Sequence, residues 1–285
     1  MGCRSANAVR RSRGLGPGGS AMPLTEIQAE LARLLAVHRA PDSYLAGGAA
    51  LHLEANGKRY SNDLDFFHDS IERVAEAFAE DRELLEDKGF QVTVDMAQPG
   101  YIRALVARKD NATKIEWAHD SAWRFLPTIA DERVGYRLHP IDLAINKVLA
   151  LVGREEPRDF LDVLHTHAEV LPLGASCWAA AGKDPGYTPL LLLELLRRRG
   201  KYRAEDFARL HLAEPVDLTT MKTEWLDALD AAEQFVRGRP PEEVGCLYYS
   251  KSRAEFVQPT GDEGEDIALH FGRPGGVMPQ FVPAS

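Results

Sequence analysis

The sequence predicts an α+β fold in which a sheet-containing N-terminal half is followed by a helical C-terminal half. Short alternating stretches typical of strands are confined to the part before residue 135. Beyond residue 136, apolar residues recur instead at the spacing of amphipathic helices. A chain of 285 residues has room for one or two domains with a sizeable core. We therefore predict a sheet-containing core over residues 23–135 and a helical domain over residues 136–240.

The predicted elements of the N-terminal half begin with a helix over 24–38, which Thr25 is suited to cap. A glycine pair, Gly47 and Gly48, then precedes a short helical stretch over 49–54. A charged amphipathic helix is predicted over 70–88. The predicted strands cover residues 63–67, 90–95, 101–108 and 113–118.

The C-terminal half is predicted to contain five helices. Pro157 suits the first turn of one of them. The predicted helices cover residues 140–151, 157–167, 188–199, 204–211 and 218–238. From about residue 256 the chain is rich in proline and glycine and shows little pattern, so we predict a loose tail over residues 241–285.

Charge is distributed unevenly along the chain. The whole sequence has 34 Lys+Arg and 43 Asp+Glu, a net charge of −9, which argues against a protein that coats nucleic acid by bulk charge. Residues 1–21 nevertheless hold four arginines and no acid, so we predict a disordered basic extension over residues 1–22. A start at Met22 and a targeting peptide are the alternative interpretations of this segment.

The cysteine content and hydropathy bear on the compartment. Three cysteines form no disulfide framework and no CxxC motif, which favours a reducing compartment such as the cytoplasm. No apolar run approaches the ~20 residues of a membrane span. We therefore expect a cytoplasmic protein with no membrane partner.

Two carboxylates are the first candidate site residues. Asp63 and Asp65 lie two positions apart on a predicted strand, so both side chains point to one face. Two carboxylates in this arrangement make a hard oxygen site suited to Mg²⁺. The alternative is a pair of exposed acids on an edge strand.

Candidate phosphate-binding groups surround these carboxylates. Gly47 and Gly48 allow backbone N–H groups to approach phosphate oxygens, although a tight turn would also explain them. Ser61 is expected on the same face as Asp63, and Arg59 adds positive charge.

Glu116 is the third candidate carboxylate. It shares a strand face with Lys114, and the preceding strand can pair with it through a turn at residues 109–112. Together with Asp63 and Asp65 it would complete a site of the two-metal type, which catalyses in-line phosphoryl displacement. A surface salt bridge with Lys114 is the alternative, and Asp120 is a competing candidate.

The C-terminal half supplies candidate cations. Lys147 and Arg154 would lie on one helix face, where Lys147 could neutralise a triphosphate. Arg158, Asp159 and Asp162 have helical spacing that also fits an intrahelical salt-bridge network. A basic cluster at residues 197–203 could contact an RNA backbone or could be a solvated helix end.

The order of these motifs resembles a known family. The run GG…RxSxDLDFF, then KxE, then DLAxNKxxALxxRxxxRDxxD is similar to AbiEii-type nucleotidyltransferases, the toxins of abortive-infection and type IV toxin–antitoxin systems. The resemblance covers about residues 43–165. It implies a polymerase-β-like nucleotidyltransferase domain with a mixed sheet, followed by a helical domain.

The resemblance also implies roles for individual residues. Phosphates would be bound by Gly47, Gly48, Ser61, Lys147 and Arg158, with Asp159 in or beside the active site. Asp63, Asp65 and Glu116 would hold Mg²⁺, with Mn²⁺ as a substitute. The implied reaction transfers a nucleoside monophosphate from an NTP to an RNA acceptor, especially the tRNA 3′ end, or to a protein. A cognate antitoxin encoded nearby is the implied partner.

Two alternatives to this function remain open from the sequence. The same chemistry could act on a small molecule. A non-catalytic NTP-binding or RNA-binding module could also retain the fold, although the intact set of three carboxylates argues against it.

Overall fold

The computed structural model describes residues 24–53, 59, 61–210, 212, 217–261 and 264–280. The extension predicted over residues 1–22 lies outside the described residues. The helices are α1 (Glu26–Leu35), α2 (Gly47–Leu51), α3 (Ile71–Asp87), α4 (Pro140–Arg154), α5 (Pro157–Glu169), α6 (Leu173–Lys183), α7 (Pro189–Arg199), α8 (Ala204–Phe207) and α9 (Leu218–Gly238). The strands are β1 (Ser43–Ala46), β2 (Asp63–His68), β3 (Gln91–Gln98), β4 (Tyr101–Arg108), β5 (Asn111–His119), β6 (Trp123–Arg124), β7 (Ile129–Asp131), β8 (Gly135–Arg137), β9 (Cys246–Ser250), β10 (Glu255–Val257), β11 (Ile267–Phe271) and β12 (Arg273–Pro274).

A mixed seven-stranded sheet organises the N-terminal half. Its strand order is β3-β4-β5-β2-β1-β8-β7. Strands β3, β4 and β5 form an antiparallel meander, whereas β2 runs parallel to β5 and antiparallel to β1. The α+β class with a mixed sheet, predicted from the sequence, is therefore confirmed.

Apolar and polar residues alternate along the central strands, so one face of the sheet belongs to the core and the opposite face is polar. Leu64 and Phe66 of β2 are fully buried, and so are Ile115 and Trp117 of β5. Helices α1 and α3 pack on this core face. The capping box of Thr25 and Gln28 fixes the start of α1. The opposite face carries the carboxylates of β2 and β5.

The C-terminal half is built around a second cluster of buried apolar residues, contributed by α4 to α7 and α9. Helix α6 was not predicted, because it is buried on nearly every side and so lacks the polar face that reveals a helix in a sequence. None of the described helices is long and apolar enough to span a membrane.

The tail predicted as loose over residues 241–285 differs in its described part. Strand β9 pairs with β10 and β11, and β12 pairs with β6. The physical reason is burial, because Cys246, Leu247 and Tyr248 of β9 are fully buried and pack beside α6. The proline and glycine residues that suggested a loose tail instead lie largely in the connections and beyond the short strands.

Candidate active site

Three carboxylates converge on the face of the sheet opposite α1 and α3. Asp65 of β2 is the direct register partner of Glu116 in parallel β5, and Asp63 lies two residues before Asp65. One oxygen from each of the three side chains lies within 4.8 Å of the others. The sequence-predicted grouping of Asp63, Asp65 and Glu116 is therefore present in the structure.

The competing interpretations of Glu116 are not observed. Its carboxylate accepts a hydrogen bond from Arg103 Nε at 2.8 Å, and no ion pair joins it to Lys114 in the described residues. Asp120 does not join the cluster and forms an ion pair with Lys183 at 3.0 Å. Arg103 was not singled out from the sequence, although its register partner in β5 is Glu116 itself.

The electrostatics of the cluster favour a bound cation. Burial, followed by the charges of Asp63 and Glu116, raises the pKa of Asp65 to about 7. Three carboxylates held this close repel one another unless a positive charge lies between them. An all-oxygen set of this kind fits Mg²⁺ or Mn²⁺.

The raised pKa predicts that metal binding depends on pH. Below pH 7 the metal-free protein holds a proton on Asp65, which a divalent cation must displace. We expect Mn²⁺ affinity to rise by up to about tenfold per pH unit up to pH 7 and to level off above it. Isothermal titration calorimetry at pH 6 and pH 8 measures this, and Asp65→Asn should remove the dependence. Equal wild-type affinity at the two pH values would contradict it.

The glycine pair lies directly against the carboxylates. Gly47 has φ +62°, and a Cβ built on it would lie 1.9 Å from Asp65 Oδ2. A Cβ on Gly48 would lie 2.6 Å from an Arg59 guanidinium nitrogen. The need for glycine at position 47 is therefore partly steric, since any larger residue would displace Asp65.

Gly47→Ala is expected to impair the site more than the fold. The added methyl group meets Asp65 and the positive φ is strained, so we expect metal affinity to fall by at least about tenfold. Calorimetric titration with Mn²⁺ measures the change. Gly238→Ala is the matched control, because nothing lies within 4 Å of a Cβ there. Wild-type metal affinity in Gly47→Ala would show that the contact is dispensable.

Ser61 lies beside the cluster but does not line its cavity. Its hydroxyl donates to Asp63 Oδ1 at 3.3 Å, and its backbone carbonyl accepts from Gln28. The side chain thus orients Asp63. A phosphate contact for Ser61 stays a prediction.

A cavity of about 80 Å³ opens beside the carboxylates. Its lining shares a strongly ionic character and consists of Gly48, Arg59, Asp63, Asp65, Arg103, Glu116, Lys147, Arg154 and Arg158. Five of these side chains are cationic, so the cavity suits an anion bound next to a metal ion. Arg158 reaches the cluster directly, with 3.5 Å between its guanidinium and Asp63 Oδ2.

A buried ionic network holds the cavity cations in place. Lys147 Nζ lies 3.1 Å from Asp159 and 2.7 Å from Asp162, and both carboxylates are fully buried. The Arg154 guanidinium makes a bidentate salt bridge with Asp159. The Arg59 guanidinium likewise makes a bidentate salt bridge with Asp162.

This network differs from the intrahelical salt bridge with Arg158 that the spacing of Asp162 in the sequence fits. Its partners are Arg59, His52 and Lys147, and not the Arg158 that is four residues away. Arg158 points to Asp63 instead. The sequence carried no signal for the pairing of Arg59 with Asp162, because 103 positions separate them.

A larger groove of about 390 Å³ adjoins the ionic cavity. The two spaces share Asp65, Glu116, Lys147 and Arg154. The rest of the groove is more apolar and includes Phe67, Leu143, Leu149, Ala150, Asn146 and Lys183. Its size and mixed lining are those of a site for a small organic ligand.

Three cations of the basic cluster at residues 197–203 have acidic partners in the structure. Arg197 pairs with Asp230 and Glu233 of α9. Arg198 and Arg199 each have an acidic partner as well. These pairs support the interpretation of a solvated helix end more than that of an RNA contact.

Three carboxylates beside a cavity lined with cations fit the class of nucleotidyltransferases. The sequence matches the family described as nucleotidyl transferase AbiEii toxin, type IV TA system, over residues 30–244. The chain belongs to this AbiEii family of nucleotidyltransferase toxins, as the order of its motifs predicted.

Two solved structures are similar to this chain, and the one with a TM-score of 0.50 shares its fold. MenT4, a nucleotidyltransferase toxin from Mycobacterium tuberculosis H37Rv, is 17% identical with a TM-score of 0.50, over 76% of this chain and 83% of that chain. JHP933 from Helicobacter pylori is 18% identical with a TM-score of 0.45, over 75% of this chain and 95% of that chain. No curated protein sequence is significantly similar to this chain.

Proposed function

We propose that the chain transfers a nucleoside monophosphate from an NTP to an acceptor hydroxyl on RNA, with Mg²⁺ as the cofactor. The observation that carries this proposal is the convergence of Asp63, Asp65 and Glu116 within 4.8 Å beside a cation-lined cavity. Membership of a toxin family supports growth inhibition as the outcome and a cognate antitoxin as a partner.

The ionic cavity and the adjoining groove would each hold one part of the NTP. The cavity of about 80 Å³ is too small for a nucleoside but suits the β- and γ-phosphates, which we assign to Lys147, Arg154 and Arg158. The groove of about 390 Å³ would take the base and the ribose. The α-phosphate would then lie at the carboxylates that the two spaces share.

The proposed reaction is an in-line displacement at the α-phosphorus. The acceptor oxygen forms a new bond to phosphorus, the α–β bond breaks, and pyrophosphate leaves toward the cationic cavity. Divalent ions held by the three carboxylates would stabilise the charge on the entering and leaving oxygens. We assign Glu116 to the acceptor side, where it would receive the hydroxyl proton. Lys147 and Arg154 would neutralise the departing pyrophosphate.

Incubation with each α-labelled NTP, Mg²⁺ and total RNA tests the proposal. We expect label on RNA from the wild type and none from Asp63→Ala. Glu83→Gln, an exposed carboxylate of α3, is the matched control and should retain full activity. Label that appears only on small molecules or on protein would reject the RNA acceptor. Equal transfer by Asp63→Ala would reject the assigned site.

A further inference from the structure

One face of the β3-β4-β5 meander is continuous with the carboxylate cluster. Ladder pairing places three rows of side chains on this face: Gln98, Tyr101 and Ala118; Met96, Arg103 and Glu116; Thr93, Leu105 and Lys114. We refer to these nine residues as the open face. The middle row ends at Glu116, so the face extends from the candidate active site to the edge of the sheet.

The open face is exposed although it carries apolar side chains. Helices α1 and α3 pack against the other side of the meander, where Val106 and Ile115 are fully buried. By contrast, Leu105 is 43% exposed and Met96 is 44% exposed. Exposed apolar side chains beside an active site are suited to contact a bound molecule.

The charges of the open face suit a polyanion. Its cations are Arg103, which is paired with Glu116, and Lys114, and Glu116 is the single acid among its nine residues. Lys114 is exposed and has no ion pair in the described part of the chain. The Arg103 guanidinium lies 5.5 Å from the centre of the Tyr101 ring. Aromatic, apolar and cationic side chains on an open antiparallel sheet are the means by which proteins bind single-stranded nucleic acid.

The geometry of displacement assigns this face to the acceptor. Four of the five cavity cations lie outside the meander, namely Arg59, Lys147, Arg154 and Arg158. The fifth, Arg103 of β4, is paired with Glu116. An in-line reaction requires the attacking hydroxyl to approach from the side opposite the leaving pyrophosphate. In the strand order, that is the side of β5, β4 and β3.

We propose that the open face binds the single-stranded end of the RNA acceptor and presents its terminal hydroxyl to Glu116. The inference rests on the proposed transfer to RNA and assigns the acceptor to a specific surface. Bases would stack on Tyr101, Met96 and Leu105, and Lys114 would contact a backbone phosphate.

Fluorescence anisotropy with fluorescein-labelled bulk tRNA tests the proposal without requiring catalysis. We expect Lys114→Glu and Leu105→Glu each to weaken binding by about tenfold. Lys114→Glu should also reduce the slope of log affinity against log salt by about one. Lys222→Glu, an exposed lysine of α9, is the control and should bind like the wild type. An unchanged melting temperature excludes a folding defect in the variants.

Several outcomes would overturn the proposal. The proposal fails if Lys114→Glu and Leu105→Glu bind tRNA as tightly as the wild type does, or if the wild type does not bind tRNA. It also fails if tRNA trimmed of its single-stranded 3′ end binds as tightly as intact tRNA. Loss of antitoxin binding with tRNA binding intact would show a protein interface instead.

RNA binding by the open face without label transfer would reject the proposed reaction and leave this surface standing. Label transfer to RNA that the variants do not affect would reject this surface and leave the reaction standing.

Discussion

Asp65→Asn is expected to abolish nucleotide transfer and to leave the metal-free protein at least as stable as the wild type. The amide keeps the shape of the side chain but removes one of the three carboxylates that converge within 4.8 Å. Loss of several kcal/mol of charge stabilisation in the transition state corresponds to a rate at least about a thousandfold lower.

The metal-free Asp65→Asn protein should be more stable than the wild type, although its activity is lost. The pKa of Asp65, raised to about 7 by burial and by its acidic neighbours, shows that its charge is unfavourable in the folded protein. At pH 8 the neutral amide therefore relieves repulsion, and the melting temperature should rise. This pattern of higher stability with lost activity is typical of a functional site.

Thermal unfolding without metal and label transfer with Mg²⁺ measure the two effects on one protein sample. Glu83→Gln, at an exposed carboxylate of α3, is the control for loss of a carboxylate, and it should change neither quantity. A lower melting temperature for Asp65→Asn would show that the carboxylate is a structural group. Transfer at the wild-type rate would remove it from the active site.

Local sequence pattern was sufficient to predict the carboxylates. The alternation of β2 puts Leu64 and Phe66 in the core, so Asp63 and Asp65 must share the other face. The same argument applied to β5 identified Glu116. Pairing between β2 and β5 was not predictable from local pattern, because the register depends on contacts between segments far apart in the chain.

Very short strands and fully buried elements were not predictable from the sequence. Strand β1 has four buried residues and therefore no alternation, and β6 to β8 have two or three residues each. The same limit applies to the ionic network, since residue type alone does not show which cation lies beside Asp162. Helical spacing pointed to Arg158, whereas tertiary packing supplies Arg59 and Lys147.

Asp162→Ala is expected to destabilise the protein by about 3–5 kcal/mol, because it leaves buried Arg59 and Lys147 without a shared counter-ion. Burial alone would raise the pKa of Asp162, but Lys147, His52 and Arg59 outweigh it and hold the pKa well below the ordinary value. The carboxylate therefore stabilises the fold above pH 4, and this contribution is lost as the pH falls through its depressed pKa. Urea denaturation at pH 7 and at pH 2 measures both effects.

A matched variant separates the structural role of Asp162 from its effect on the active site. Asp81 is also fully buried and contacts Arg39 and Trp117, on the core side of the sheet away from the cavity. We expect Asp81→Ala to lower stability by a similar amount and to leave the KM for NTP unchanged.

Asp162→Ala should instead raise the KM for NTP by at least about tenfold at temperatures where both variants remain folded. The reason is that Lys147 and Arg59 line the cavity and each takes its position from Asp162. Circular dichroism at the assay temperature verifies folding, and initial rates over a range of NTP concentrations give KM and kcat. If Asp162→Ala and Asp81→Ala have the same KM, the buried network supports only the fold and does not position the cations that bind phosphate.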